Sequence, residues 1–160
     1  RRQRQMCIRD RTEGVKVILD CSDRYLQEGL KAQPYAVKPT CDELGMENDV
    51  EGALSEASKI VSGGVNCCLV SMGKDGAVFV NGPEGRFSSE AVHVKVNCTT
   101  GCGDAMTAGL AYSFDEGMKP EESFRLCMAL ASASAETEGT KPPFKYRVME
   151  LIDIIPICGQ

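Results

Sequence analysis

Long apolar runs are missing from this sequence. None comes near the roughly 20 residues needed to cross a bilayer, and no secretory leader is visible, so a soluble, cytoplasmic protein with no membrane partner is expected. Histidine is reduced to one residue, His93, and the nine cysteines contain no CxxC pair. A zinc site is therefore disfavoured, and reduced thiols are expected at Cys7, Cys21, Cys41, Cys67, Cys68, Cys98, Cys102, Cys127 and Cys158. There is no GxxxxGK[ST], which disfavours a P-loop NTPase. The one GxG followed by a helix, GCGDAM, lacks the third glycine of a dinucleotide fingerprint. No internal repeat or low-complexity stretch is apparent.

What is present is enough for one domain of ordinary size: 160 residues, 42% of them hydrophobic, with a formal net charge of −5. Charge is uneven. Arg1, Arg2, Arg4, Arg9 and Arg11 stand against Asp10 alone, and the rest of the chain is acidic. A nucleic-acid-binding arm is one reading of that start, but no later stretch supplies a basic face, and no nucleic-acid partner is expected. The run from Met6 to Arg11 resembles a translated adapter sequence. Residues 1–12 are set aside as a non-native or disordered basic leader, leaving residues 13–160 as the domain.

Periodicity then gives the order of elements. Gly14 to Asp20 (GVKVILD) reads as a buried parallel strand ending in an acid. Ser22 to Lys31 reads as a helix capped by Ser22 or Asp23, and Tyr35 to Lys38 as the next strand, stopped by Pro39. Asp42 and Glu43 should open a short helix. Asp49 to Ser62 has Leu54, Ala57, Ile60 and Val61 on one face and two glycines at its end. Cys67 to Ser71 is a third buried strand. Ala77 to Val80 and a polar strand through Phe87 frame Asn81-Gly82, the signature of a tight hairpin turn. Val92, Val94 and Val96 alternate with polar residues as in a strand. Two more helices are expected: one begins at Pro120, buries Phe124, Cys127, Met128, Ala131 and Ala135 and ends at Gly139 and Thr140; the other spans Tyr146 to Ile155. This is an α/β layered pattern.

The stretch VNCTTGCGDAMTAGL, residues 96–110, carries the chemistry. Gly101 and Gly103 let the backbone turn and bring N–H groups close to a ligand. From Asp104 onward, Ala105, Ala108, Gly109 and Tyr112 recur at helical spacing. A helix N-terminus favours a phosphate or developing phosphoryl charge. Asp104 at that mouth is either a helix cap or an acceptor for the proton of an attacking hydroxyl.

This segment resembles the signature of the PfkB or ribokinase-like sugar kinases, (N/D)-x-T-x-G-A-G-D followed by a small-residue helix, with Cys102 in place of the usual Ala. The resemblance implies Asp104 as catalytic base and the turn of Gly101, Cys102 and Gly103 as an anion hole. KPTCDEL, which read alone is a surface turn with a capping acid, is similar to the family's KPNxxEL. Lys38 would lie near the nucleotide and Glu43 would help order the metal, with Thr40 standing where Asn is usual. SMGKDG is similar to the family's S-x-G-x-x-G segment, which implies that Ser71, Gly73, Lys74 and Gly76 approach the phosphates together with Thr99. The helix from Pro120 borders the adenine pocket in that family. ATP and Mg2+ are the implied cofactors.

The implied fold is a three-layer ribokinase-like α/β fold: a parallel sheet with helices on both faces plus a β-hairpin. Only its C-terminal portion is matched, so the N-terminal strands, the lid and most sugar-contacting residues would be missing and the chain would be a fragment. Within the family, LDCSD, the KPTCDEL variant, SMGKDG and VNCTTGCGDAM are most similar to bacterial 1-phosphofructokinases, with tagatose-6-phosphate kinases next. That implies a sugar-phosphate substrate such as fructose 1-phosphate, phosphorylated on its free primary hydroxyl, and a homodimer for a full-length parent. A nucleotide-binding fragment without catalysis, and a structural α/β domain with no ligand, stay open beside it. Asp20, at a strand end, is a weaker site candidate.

Overall fold

Short parallel strands with fully apolar cores need cover on both faces, and the first half of the chain supplies strand and helix in alternation. The computed structural model describes residues 14–21 and 24–159. The leader of residues 1–12 and the caps expected at Ser22 and Asp23 lie outside the described residues. The described residues fall into two compact units, one of residues 14–72 and 78–86, the other of residues 73–77 and 87–159.

In the first unit, strands β1 (Ile18–Leu19), β2 (Ala36–Val37), β3 (Cys67–Ser71) and β4 (Ala77–Asn81) are neighbours in that order. The first three are parallel, with Ile18 opposite Ala36 and Ala36 opposite Cys67. The ladder of β1 is shorter than its apolar run, although Val17 still accepts the N–H of Ala36 at 3.1 Å and Leu19 that of Lys38 at 3.0 Å. Helix α1 (Arg24–Leu30) buries Leu26, and α2 (Val50–Ser62) buries Ala53, Leu54, Ala57 and Ile60, with Val61 half-buried. Asp49 caps α2 by accepting the Gly52 N–H at 2.7 Å. The core gathers Leu19, Leu26, Val37, Leu54, Val70, Val78 and Val80, and each such side chain stabilises the fold by about 1.5–3 kcal/mol.

Two local expectations are corrected here. Asp42 and Glu43 open no helix: residues 41–45 are hydrogen-bonded turns, closed by Met46 N–H on the Cys41 carbonyl at 3.0 Å. Gly45, at φ 67°, takes the chain out of the helical region after one turn. The connection after β4 is no tight two-residue turn but a 3-10 turn, Gly82–Glu84, because Pro83 fixes its own φ and extends the loop.

In the second unit, residues Phe87–Ser89 of β5 (Gly85–Ser89) run antiparallel to β6 (Cys158–Gly159), pairing Phe87 with Gly159 and Ser88 with Cys158. Helices α3 (Cys102–Asp115), α4 (Pro120–Ala135) and α5 (Lys145–Ile152) pack in sequence. Gly109 sets the α3–α4 approach: a Cβ there would lie 2.9 Å from Leu130 Cδ1 and 3.2 Å from Cys127 Sγ. Helix α4 starts at Pro120 as expected. It buries Phe124, Cys127, Met128 and Ala135, leaves Ala131 half-buried, and ends at Ala135, before Gly139. Helix α5 stops at Ile152 instead of Ile155, yet Ile155 is buried and its carbonyl accepts from Arg125.

Two further corrections concern the approach to α3. The Val92–Val96 alternation gives no strand, since nothing among the described residues pairs with it; Val92 and Val94 are half-buried and Val96 is exposed. The buried stripe of α3 is Met106, Gly109, Leu110 and Ser113. Its spacing is the expected one, but the face is turned by one residue, so Ala108 and Tyr112 look outward.

Candidate active site

The sequence T-T-G-C-G-D forces a change of direction where α3 begins. Gly101 caps the helix at φ 89°, ψ −6°, a left-handed conformation that costs glycine little. Cys102, Gly103 and Asp104 are then the first three helical residues, which makes Asp104 a first-turn acid and not the cap. The N–H of Cys102 bonds the Thr99 carbonyl at 3.2 Å, and the first full helical bond is Ala105 N–H to Gly101 O at 2.9 Å. Those of Gly103 and Asp104 have no backbone acceptor, so the positive end of the helix dipole is presented there. Thr99, Thr100 and Asp104 are exposed; Gly101, Cys102 and Gly103 are half-buried. Among the described residues the Asp104 carboxylate has neither a hydrogen-bond nor an ion-pair partner.

What holds this turn in place was not legible as a site feature. Asn97 and Cys98 both donate their N–H to the carbonyl of Ala135, at 2.8 and 3.2 Å, and Asn97 Nδ2 donates to the Glu136 carbonyl at 2.6 Å. The turn is thus tied to the C-terminal end of α4, where Arg147 Nε also meets Glu136 at 2.6 Å. The signal was available in Asn97 itself, an amide-bearing residue just before the Thr-Thr-Gly turn. A cleft of about 530 Å³ opens beside this anchor, lined by Asn97, Glu136, Thr137, Phe144 and Tyr146 among others.

The SMGKDG segment places Gly73, Lys74 and Gly76 in the second unit. Gly73–Asp75 is a single 3-10 turn with Gly73 at φ 59°. Gly76, at φ 105°, sits so close to the end of β5 that a Cβ would lie 2.0 Å from the Ser89 carbonyl oxygen. Only glycine fits, and Lys74 is thereby held on an exposed turn.

In the first unit the structure brings the KPTCDE turn beside Ser71. Thr40 forms a parallel bridge with Ser71, the Ser71 N–H bonds Pro39 O at 3.0 Å, and Cys41 N–H bonds Ser71 O at 3.1 Å. Lys38 is buried, at 3% exposure, and its Nζ lies 3.4 Å from Asp20 Oδ2, as adjacent strand ends require. Glu43 and Thr40 bond each other reciprocally: Glu43 Oε2 accepts the Thr40 N–H at 2.8 Å, and Thr40 Oγ1 accepts the Glu43 N–H at 3.1 Å. One oxygen of the half-buried Glu43 carboxylate is therefore engaged in closing the turn.

No group of three or more metal-ligating side chains assembles among the described residues. An Mg2+ brought in by nucleotide phosphates and mostly hydrated needs only one or two carboxylates. None of the eight described cysteines is in a disulfide. Burial pushes the Cys67 thiol up to about 12 and Cys68 higher still, so both are inert core sulfurs.

The profile of the pfkB family carbohydrate kinase matches residues 3–146. The chain belongs to that family. The match begins inside the basic stretch of residues 1–12. Among curated pfkB relatives, 1-phosphofructokinase of Haemophilus influenzae is 35% identical over 125 residues, 74% of this chain and 40% of that protein. The 1-phosphofructokinase of Borreliella burgdorferi is 33% identical over 129 residues, 76% of this chain and 41% of that protein. The crystal structure of phosphofructokinase-2 from Escherichia coli in complex with substrates and products superposes with a TM-score of 0.88 at 25% identity, covering 96% of this chain and 52% of that one. The fold is thus the ribokinase-like α/β fold of pfkB kinases, and this chain spans about half the length of the relatives it matches. No helix among the described residues is long and apolar enough to cross a membrane.

Proposed function

We propose that this chain is the nucleotide-binding and proton-accepting portion of an ATP-dependent sugar-phosphate kinase, acting on fructose 1-phosphate or a similar ketose phosphate. The observation that carries the reading is the left-handed turn at Gly101, which sets first-turn amides and an unpaired, exposed carboxylate at one helix mouth. Asp104 takes the proton from the attacking primary hydroxyl. The N–H of Gly103, left without a backbone acceptor, receives the charge that develops on the transferred phosphoryl group, with Gly101 shaping the turn and the Cys102 N–H held by the Thr99 carbonyl. Thr99, Gly73, Lys74 and Gly76 contribute to the phosphate contacts. Within the first unit, Lys38 and Ser71 are assigned to the nucleotide and Glu43, indirectly, to the metal. When bound, MgATP supplies the phosphoryl group and the metal charge that neutralises it.

Residues 13–160 are assigned as the C-terminal part of the kinase domain, and a homodimer is assigned to the full kinase. The names of the relatives at 33 to 35% identity support the substrate class. Because the chain covers 40 to 41% of those proteins, a second reading stands beside the first: nucleotide binding without turnover. Titrating the chain with MgATP and measuring ADP release with and without fructose 1-phosphate separates the two. Binding with sugar-dependent ADP release supports the kinase reading. Binding alone supports the second reading, and no binding overturns both.

A further inference from the structure

The cysteines of this chain divide sharply by setting. Cys41, Cys67, Cys68 and Cys127 are buried in the two cores, and Cys158 is exposed on β6. Cys21 is half-buried against the core of the first unit; Cys98 and Cys102, also half-buried, are the two that flank the Gly101 turn, at a separation of four residues. The chain folds back between them. Cys102 N–H bonds Thr99 O at 3.2 Å, and Cys102 Sγ lies 4.0 Å from the carbonyl oxygen of Cys98, so the second sulfur reaches back over the residue that bears the first.

We propose that Cys98 and Cys102 form a reversible dithiol–disulfide pair, oxidised by hydrogen peroxide or an organic peroxide, that switches off the anion-binding turn it encloses. The roles within the pair follow from their surroundings. Hydrogen bonds from Thr100, side chain first and then backbone, and from the backbone of Gly139 hold the Cys98 thiol below its ordinary range. Burial pushes the Cys102 thiol up, and the neighbouring charge of Cys98 adds to it. Cys98 is then the residue that meets the peroxide, and Cys102 the one that resolves it.

The Cys98 thiolate attacks one peroxide oxygen; an S–O bond forms, the O–O bond breaks, and the leaving hydroxide or alkoxide takes up a proton. Cys102, losing its proton, attacks the sulfenic sulfur of Cys98; an S–S bond forms, the S–O bond breaks, and water leaves. Two thiols lose two electrons in all, and the peroxide gains them. The ring so closed contains Thr99, Thr100 and Gly101, which draws the first residue of α3 toward Cys98. The loss of phosphate affinity rests on the nucleotide reading; the sulfur chemistry does not.

Peptide mass tests the pair directly. Trypsin releases residues 96–125 as one peptide whose cysteines are Cys98 and Cys102 alone, because Pro120 protects the Lys119 bond. After peroxide treatment and iodoacetamide, this peptide should be two hydrogens lighter and carry no alkyl group, and dithiothreitol should restore double alkylation. Cys98→Ser should leave Cys102 alkylated, while Cys158→Ser should change nothing. Double alkylation of the oxidised parent, or a cross-link from either residue to another cysteine, overturns the pair. On the same samples, oxidation should lower ATP affinity by about tenfold or more, the scale of a moderate coupling between sites, and reduction should restore it. A disulfide with ATP affinity unchanged overturns the switch. A reduced chain that binds no ATP overturns the nucleotide reading, and the peptide mass still decides the pair.

Discussion

Two acids in this molecule stand three residues beyond the residue that opens their turn, and they meet opposite fates. Glu43 follows Thr40, whose hydroxyl accepts the Glu43 N–H while the Glu43 carboxylate accepts the Thr40 N–H. Asp104 follows Gly101, which has no side chain to reciprocate and lies in the left-handed region. The shorter carboxylate makes no bond back and stays exposed. Equal spacing therefore yields a closed structural bracket in one unit and an exposed carboxylate with no bond back in the other. The deciding difference is the residue at the opening position, threonine or glycine.

The comparison can be broken at several points. In the full-length kinase, Asp104→Asn carries the largest expected effect, a fall in kcat of about 10²- to 10⁴-fold, the scale of a lost general base, with ATP affinity nearly unchanged. Near-parental turnover with fructose 1-phosphate would remove Asp104 from the mechanism. Gly76→Ala should come next, destabilising the chain by about 2–4 kcal/mol through strained φ and overlap with the Ser89 carbonyl; urea unfolding would measure it. Gly101→Ala meets open space, with its nearest contact 3.9 Å away at Thr140 Cγ2. It should therefore cost only the left-handed penalty of about 1–2 kcal/mol while weakening ATP binding. Thr40→Ala removes half of the bracket at Glu43 and should cost about 1 kcal/mol, with no more than a modest effect on turnover. The smallest effect lies in thiol labelling. Because Cys98 is held low and Cys67 is pushed up to about 12, limiting iodoacetamide near pH 8 should label Cys98 before Cys67. The reverse order would contradict the assigned environments.

Local features were legible in the sequence, and features that depend on distant partners were not. The Cys67–Ser71 strand and the Pro120 helix start are set by neighbours in the chain, and each stands as read. The alternation of Val92, Val94 and Val96 promised a strand, but a strand needs a partner, and the described residues provide none. The stripe on α3 had the right spacing and the wrong phase: Gly109 faces inward as read, against Leu130 and Cys127 of α4, but Met106, Leu110 and Ser113 share its face where Ala105, Ala108 and Tyr112 were expected. Thr-x-x-Glu at Thr40 was a readable capping signature. The bridge between Thr40 and Ser71 spans thirty-one positions and has no sequence sign. Asn97 stood in plain view, but its tether depends on where α4 ends.

That tether has a thermal consequence. The last carbonyls of a helix belong to its most easily frayed turn, and here the Ala135 and Glu136 carbonyls are the ones Asn97 and Cys98 hold. On warming, amide exchange at Asn97 and Cys98 should quicken together with the final turn of α4, well below global melting. The Gly101 turn would then be lost to heat earlier than the fold that carries it.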